Sequence, residues 1–429
     1  MALAMKGHLR ALRSNSFIGP AAILFISANI ANAANLIFNM IFARLMGPAI
    51  FADLTLLLTL KLGVLSFLGA LQFAFSEHTA RDRNSSTSKI QARSLSATSL
   101  KFAIPVMFVI IASSGLISEM LNFSSPVALT LLALAIPFFI PMVIYRGLVQ
   151  GLIDVPKIVL SIQAEWIIRL FGSVLLWEMG FGLPGIAFAV ALSIVAGFVF
   201  STNRSSANGN HFKTLSTTPL TIKTLGVTAM PYLILQMAQI LVLDSDIVIA
   251  KTAFTSETAG LVAGLLLIQR VFFFAFLSFS TILQPIVAQQ KNADGTPKEL
   301  FMLLLGIGGV TLLALAVIIP NSDHVVRLML GEQYMQLSSI IWISAVTGAV
   351  FIVSHLCAIY HIAKGQKIAA KIVLGFGVVQ LIILASVNQV FPDIGLHTYF
   401  SLKLAVQTLC AICLLGTVLF AHRNSLNKG

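Results

Sequence analysis

Four asparagines, Asn29, Asn32, Asn35 and Asn39, recur at three- and four-residue spacing inside one long apolar run. Gln236, Gln239 and Asp246 follow Asn29, Asn32 and Asn39 at a constant offset of 207 residues. At about 100° per helical residue, each set falls within an arc of roughly 120°, a polar stripe on one helix face. Asn and Gln donate and accept at once, so they suit a hydroxyl-bearing ligand as well as one another. The stripes therefore read either as the lining of a water-filled cavity or as hydrogen-bond glue between helices. Both stripes end in the same step, Ala43-Arg44 and Ala250-Lys251. Asn39 becomes an acid at Asp246 and Asn35 becomes Val242, so the second stripe alone carries formal charge.

Formal charges also stand inside apolar segments: Lys61, Glu165, Arg169, Arg270 and, deeper along the chain, Lys403. Each costs about 2.5–3.5 kcal/mol at a membrane centre unless pairing, water or function offsets it. Glu165 and Arg169 have i,i+4 spacing and can pair on one helix. Lys61 and Arg270 have no acid near them in sequence. They read as cations in a hydrated cavity that would attract an anion, or as partners of acids on other helices. Asp246, close to Asp244, is either an ion- or proton-binding group or a solvated acid at the outer end of its segment. Glu165 is the second ion-coupling candidate, because of its depth. His355 reads as core and His361 as cytoplasmic rim. Cys357, Cys410 and Cys413 all fall in apolar segments and read as small buried residues, with too few neighbours for a metal site.

The elements that must position these residues are long apolar helices. Hydrophobic residues make up 58% of the 429 and charged residues only 10%, and the mean hydropathy is +0.95. A crossing needs about 20 apolar residues. Twelve stretches qualify, near 17–42, 49–76, 99–120, 126–149, 155–177, 183–202, 222–246, 257–286, 299–320, 337–363, 367–391 and 396–421. The connections are too short for a soluble catalytic domain. No phosphate-binding Gly-rich loop, HExxH pattern or Ser/His/Asp grouping is present. An enzyme, a resident cofactor and a metal centre are therefore not expected. Pro137 and Pro141 predict a bend in the fourth segment.

The net charge of +12 is topological rather than a sign of nucleic acid. Placing the N-terminus in the cytoplasm puts basic residues such as Lys6, Arg10, Arg13, Arg146 and Lys213 on that side. Acids such as Asp53, Glu119 and Glu257 then lie outside. This bias predicts both termini in the cytoplasm. Basic residues, an apolar run and Ala31-Asn32-Ala33 also resemble a leader, but cleavage there would destroy the match with 224–250. The repeat continues beyond the stripes: Ile144-Tyr145-Arg146 answers Ile359-Tyr360-His361, and Lys157-Ile158-Val159-Leu160 answers Lys371-Ile372-Val373-Leu374. Six segments per half is even, so the halves are parallel repeats. The expected organisation is an N-terminal six-helix lobe over 1–203, a cytoplasmic linker over 204–221 and a C-terminal six-helix lobe over 222–429. The expected fold is an all-α membrane protein with about 12 transmembrane helices around a central cavity.

Ala43-Arg44-Leu45-Met46-Gly47-Pro48-Ala49-Ile50-Phe51-Ala52 resembles the signature between the first two helices of polysaccharide flippases of the multidrug/oligosaccharidyl-lipid/polysaccharide exporter superfamily. Arg146-Gly147-Leu148-Val149-Gln150-Gly151 resembles the end of their fourth segment. Asp246-Ile247-Val248-Ile249-Ala250-Lys251, with Ala259-Gly260, resembles the opening of their second half. Near Phe51, where Ile50-Phe51-Ala52-Asp53 stands, a Gly or Tyr is more usual. The resemblance implies two lobes around a cavity in a bacterial inner membrane. It implies ion-gradient-coupled alternating access that carries undecaprenyl-pyrophosphate-linked oligosaccharide from the cytoplasmic to the periplasmic leaflet. Membrane lipids, and a polysaccharide polymerase or chain-length machinery, are the further partners it implies. Lys61, Arg270 and Arg169 would then meet the anionic headgroup, and the Asn/Gln stripes would line the sugar path. A cation-coupled multidrug exporter of the same superfamily is the alternative.

Overall fold

The computed structural model describes residues 18–82, 85–202, 222–289, 298–366, 368–391 and 395–426. The linker over 204–221, and basic residues such as Lys6, Arg10 and Arg13, lie outside them. The regular elements among the described residues are all helices, with no strand among them. In chain order the helices are α1 Ile18–Asp82, α2 Ser85–Ala112, α3 Ser114–Met120, α4 Pro126–Ala133, α5 Ile136–Gly151, α6 Val155–Glu178, α7 Gly182–Thr202 and α8 Ile222–Leu243. There follow α9 Ser245–Ala253, α10 Ser256–Gln289, α11 Lys298–Ile318, α12 Ser322–Met329, a 3-10 turn Glu332–Leu337, α13 Ile341–Ala363, α14 Ile368–Val390 and α15 Leu396–Leu426.

Among the described residues, ten helices are long and apolar enough to cross a membrane, or eleven if the bent pair α4 and α5 is one span. One of the ten, Ile26–Ala80, has 55 residues, room for two crossings at 1.5 Å per residue. Its backbone leaves helical geometry at Gly47 (φ 71°, ψ 171°), a left-handed conformation that glycine adopts without a Cβ penalty. Counted this way, the twelve apolar stretches of the sequence are accounted for. Large apolar side chains such as Leu305, Leu313 and Phe102 are exposed by 82%, 71% and 69%, as lipid-facing positions of a multi-pass membrane protein must be.

The predicted bend in the fourth segment is present. α4 and α5 meet at 42° across Leu134 and Ala135, and Pro137 sits in the first turn of α5, where its missing N–H costs nothing. The seventh segment holds an unpredicted break. Helix α8 ends at Leu243, and α9 restarts at Ser245 with Asp244 at its N-cap. The chain then turns extended at Phe254 (φ −113°, ψ 170°), 207 residues after Gly47. The two interruptions thus occupy equivalent places in the repeat.

The chain divides into two compact units that do not follow the sequence halves. One comprises Met1–Asn35, Leu71–Ala112 and Thr130–Val227. The other comprises Leu36–Ala70, Ser113–Leu129 and Thr228–Gly429. Two stretches of the first half, 36–70 and 113–129, are thus grouped with the second half by their contacts. The first unit rests on α6 against α7 and on α2 against α5. The core of the second runs along α10 and α13, where Phe273 stacks on Phe351 with ring centroids 5.1 Å apart.

Small residues let backbones meet inside the second unit, as membrane helices require in the absence of a hydrophobic drive. A Cβ on Gly260 would lie 2.1 Å from the Pro48 carbonyl oxygen, and one on Gly348 would lie 2.2 Å from that of Gln269. Both obstacles are backbone and cannot rotate away. Gly260→Ala should therefore destabilise the protein by about 1–3 kcal/mol or more. Gly306→Ala, where a Cβ meets nothing within 4 Å, should be neutral or stabilising by up to about 1 kcal/mol. Thermal unfolding of the detergent-solubilised variants reads both, and equal melting temperatures would contradict the packing.

Candidate functional site

The break between α8 and α9 builds a charged site inside a membrane-length span. Ending a helix in an apolar setting leaves backbone N–H groups without partners, and acids at the next N-terminus complement them. Asp244 occupies the N-cap position of α9, with no side-chain hydrogen bond to the helix N–H groups, and Asp246 lies in the first turn, where the helix dipole favours negative charge. Asp244-Ser245-Asp246 is the sequence trace of this restart, since short polar residues favour N-terminal positions.

Both acids are met by cations from other helices. Lys403, on α15, reaches Asp246 Oδ2 at 2.5 Å, and neither side chain is exposed at all. Tyr399, one turn earlier, donates its hydroxyl to Asp246 Oδ1 at 3.1 Å. Arg270, on α10, forms an ion pair with Asp244 and donates a second hydrogen bond to Thr59 Oγ1 at 3.0 Å. One turn beyond Lys403, Gln407 donates to Gln380, which in turn donates to the Val242 carbonyl. Two acids and two cations thus form an electroneutral buried group. Asp244 Oδ2 and Gln407 Oε1 remain buried without a partner, acceptors that a mobile proton donor, a cation or a water can fill.

This geometry revises the sequence expectations. Asp246 is not a solvated outer acid but 0% exposed. Of the two readings of Arg270, the structure matches the partner of an acid on another helix, since its guanidinium is engaged by Asp244. Lys61 is also buried, at 4% exposure. Sequence reading noted the depth of Lys403 but did not place it at the site, and it missed Tyr399 and Asp244 as members. Their partners lie more than 150 residues away along the chain for Asp246, a separation that periodicity does not report.

The remaining candidates lie elsewhere. Glu165, on α6, accepts a hydrogen bond from Arg146 of α5 at 3.0 Å. Arg146 also donates to the Ser161 hydroxyl and carbonyl, and Ser161 donates to the Gly197 carbonyl at 2.6 Å. Arg146, read from sequence as one of the cytoplasmic-side basic residues, therefore ties α5, α6 and α7 together within the first unit. Arg169 stands half-buried one turn beyond Glu165. Asn29, Asn32, Asn35 and Gln236 are half-buried, while Asn39 and Gln239 are buried at 3% and 4%. His355 is buried as expected. His361, expected at the rim, is also buried, and its ring bonds to Gln366 and Thr417. Cys413 is exposed, unlike Cys357 and Cys410, because its face of α15 is turned outward. No group of three or more potential metal ligands occurs among the described residues.

A further buried ion pair joins the repeats inside the second unit. Lys251 Nζ lies 2.7 Å from Asp53 Oδ1, with side-chain exposures of 2% and 3%. Asp53 Oδ2 accepts from the Ser124 N–H at 3.3 Å, and Asn122 donates to the Lys251 carbonyl at 2.9 Å. Asp53 was read from sequence as an outer-side acid and Lys251 as the end of the second stripe, without a partner assigned to either.

Removing one member of a buried pair strands the other charge, at a cost of about 3–5 kcal/mol, whereas replacing both can be neutral. Asp246→Asn should therefore sharply reduce the yield of folded protein and its melting temperature. Asp246→Asn combined with Lys403→Met should recover most of that loss. Additive losses in the double variant would show that the two residues do not act as a pair.

No protein-family model and no curated protein matches the sequence. Solved structures do match. An inward-facing conformation of a multidrug resistance MATE family transporter of the MOP superfamily superposes with a TM-score of 0.78 at 14% identity, covering 92% of this chain and 96% of that one. An outward-facing conformation of such a transporter gives 0.66 at 15% identity, covering 96% and 97%. A MATE structure in the bent conformation gives 0.67 at 14% identity, covering 95% and 96%. At this identity the likeness establishes the fold alone, and the described residues share the helical fold of these MATE transporter structures.

Proposed function

We propose that this chain carries a bulky amphipathic cargo across a membrane by alternating access. The observation that supports this most directly is the near-complete structural overlap with transporters found in both inward- and outward-facing conformations. The broken span at Asp244 agrees with it, since interrupted helices with buried charges mark coupling and substrate sites in such proteins. In this reading the Asp244–Arg270 and Asp246–Lys403 group is the ion-coupling centre. Binding of a proton or cation to the acids would weaken their hold on α10 and α15.

The cargo has two readings, each with its own support. The structural neighbours are multidrug resistance transporters, which favours export of lipophilic compounds driven by a cation gradient. The Ala43–Ala52 and Arg146–Gly151 stretches favour a lipid-linked oligosaccharide, moved from the cytoplasmic to the periplasmic leaflet of a bacterial inner membrane. The polar stripes support the second reading because amides match sugar hydroxyls. The buried pairing of Arg270 removes one of the cations that would have met an anionic headgroup, which leaves the first reading the better supported by structure.

Two strains separate the readings. A drug-sensitive strain producing the chain should gain resistance to ethidium if it exports drugs. Deletion of the gene in its own host should abolish surface polysaccharide if it flips lipid-linked oligosaccharide. Asp246→Asn with Lys403→Met, in which the proposed coupling charges are gone but the pairing cost is relieved, should lose whichever activity is found. Full activity in that double variant would remove the cluster from the mechanism.

A further inference from the structure

A second site lies away from the charged cluster, beside the Asp53–Lys251 pair and wholly within the second unit. A pocket of about 620 Å³ is lined by residues of α3 and the turn after it, by Lys251, and by the α9–α10 connection. Its volume falls within the range of about 300–1,000 Å³ common to small-molecule sites. Hydroxyls and an amide dominate its walls, from Ser118, Asn122, Ser124 and Thr255.

Two of its groups are buried donors. The Ser118 hydroxyl is buried, at 5% residue exposure, and has no partner. Lys251, at 3% exposure, is ion-paired with Asp53 at 2.7 Å, and an ammonium carries three donors. A buried donor left unpaired costs free energy that a ligand oxygen restores. The half-buried Phe254 adds an aromatic wall, held edge-on against Tyr399 with centroids 6.0 Å apart. Asp53 cancels the charge of Lys251, and the exposed Glu119 at the rim leaves the lining negative. That balance disfavours an acidic ligand. The polar walls disfavour a lipophilic one.

We propose that this pocket is a binding subsite for a neutral sugar residue, in which Ser118 and Lys251 hydrogen-bond ring hydroxyls and Phe254 meets an apolar ring face. The proposal rests on the oligosaccharide reading of the cargo and names a place where a glycan unit docks. The connections that form the pocket are those the charge bias assigns to the outer side. Docking there would hold the sugar on the side to which it is delivered.

The test uses the full chain in lipid nanodiscs and saturation-transfer NMR with N-acetylglucosamine, galactose and mannose. Glucuronate and ethidium serve as the acidic and lipophilic comparisons. At least one neutral sugar should bind, and glucuronate should bind more weakly. Ser118→Ala should weaken binding about tenfold, the loss of one good hydrogen bond. Gly115→Phe should abolish it, because a Cβ at Gly115 meets nothing within 4 Å and the larger side chain fills the pocket. Should Gly115→Phe fail to insert, Ser118→Ala alone decides. Absence of binding by all three neutral sugars, undiminished binding in Ser118→Ala, or displacement of bound sugar by ethidium overturns the proposal. Surface polysaccharide is scored separately. Its loss on gene deletion, with sugar binding insensitive to both variants, overturns the pocket alone. Its persistence on deletion, with binding sensitive to both, overturns the cargo alone.

Discussion

A charge inside an apolar medium must find an opposite charge, and much of the second unit is arranged around that need. Asp246 with Lys403 and Asp244 with Arg270 hold α9, α15 and α10 to one another, with Tyr399 closing the last acceptor of Asp246. Asp244 and Asp246 stand at the N-terminus of α9, where the helix dipole favours negative charge. The break ahead of α9 brings those acids within reach of α10 and α15. Position and pairing therefore depend on each other, and losing either charge exposes the other to the full cost of burial.

The same rule operates at two further places by different means. Arg146 uses its planar fork to engage Glu165 and both the hydroxyl and carbonyl of Ser161, which a lysine could not reproduce. Lys251 and Asp53 bring the opening of the second repeat against the first-half stretches 36–70 and 113–129. Close backbone contact at Gly260 and Pro48 reinforces that packing without any polar group. Ion pairs set which helices meet, and small residues set how closely.

Much of the fold was legible in the sequence. Apolar runs of membrane length, the bend ahead of Pro137 and the 207-residue repeat all follow from local chemistry. The repeat acquires a structural counterpart in the equivalent breaks at Gly47 and Phe254. The candidate site was legible only in part. Asp246, Arg270 and Lys403 drew notice because charge in lipid is rare, but their pairing was not visible. The partner of Arg270 could not be named because its acid is 26 residues away. Asp246 looked solvated because its distance from the end of an apolar run says nothing about what packs over it.

The sequence by itself determined that this chain is a helical membrane protein with an internal repeat and a few costly polar positions. Hydrophobic length and periodicity decide those properties residue by residue. Only the tertiary structure decided which charges neutralise which, that stretches 36–70 and 113–129 belong with the second half, and that Ser118 and Lys251 line one pocket. The reason is physical: a single helix fixes the direction of its side chains, but burial and ion pairing are properties of what other helices place against it.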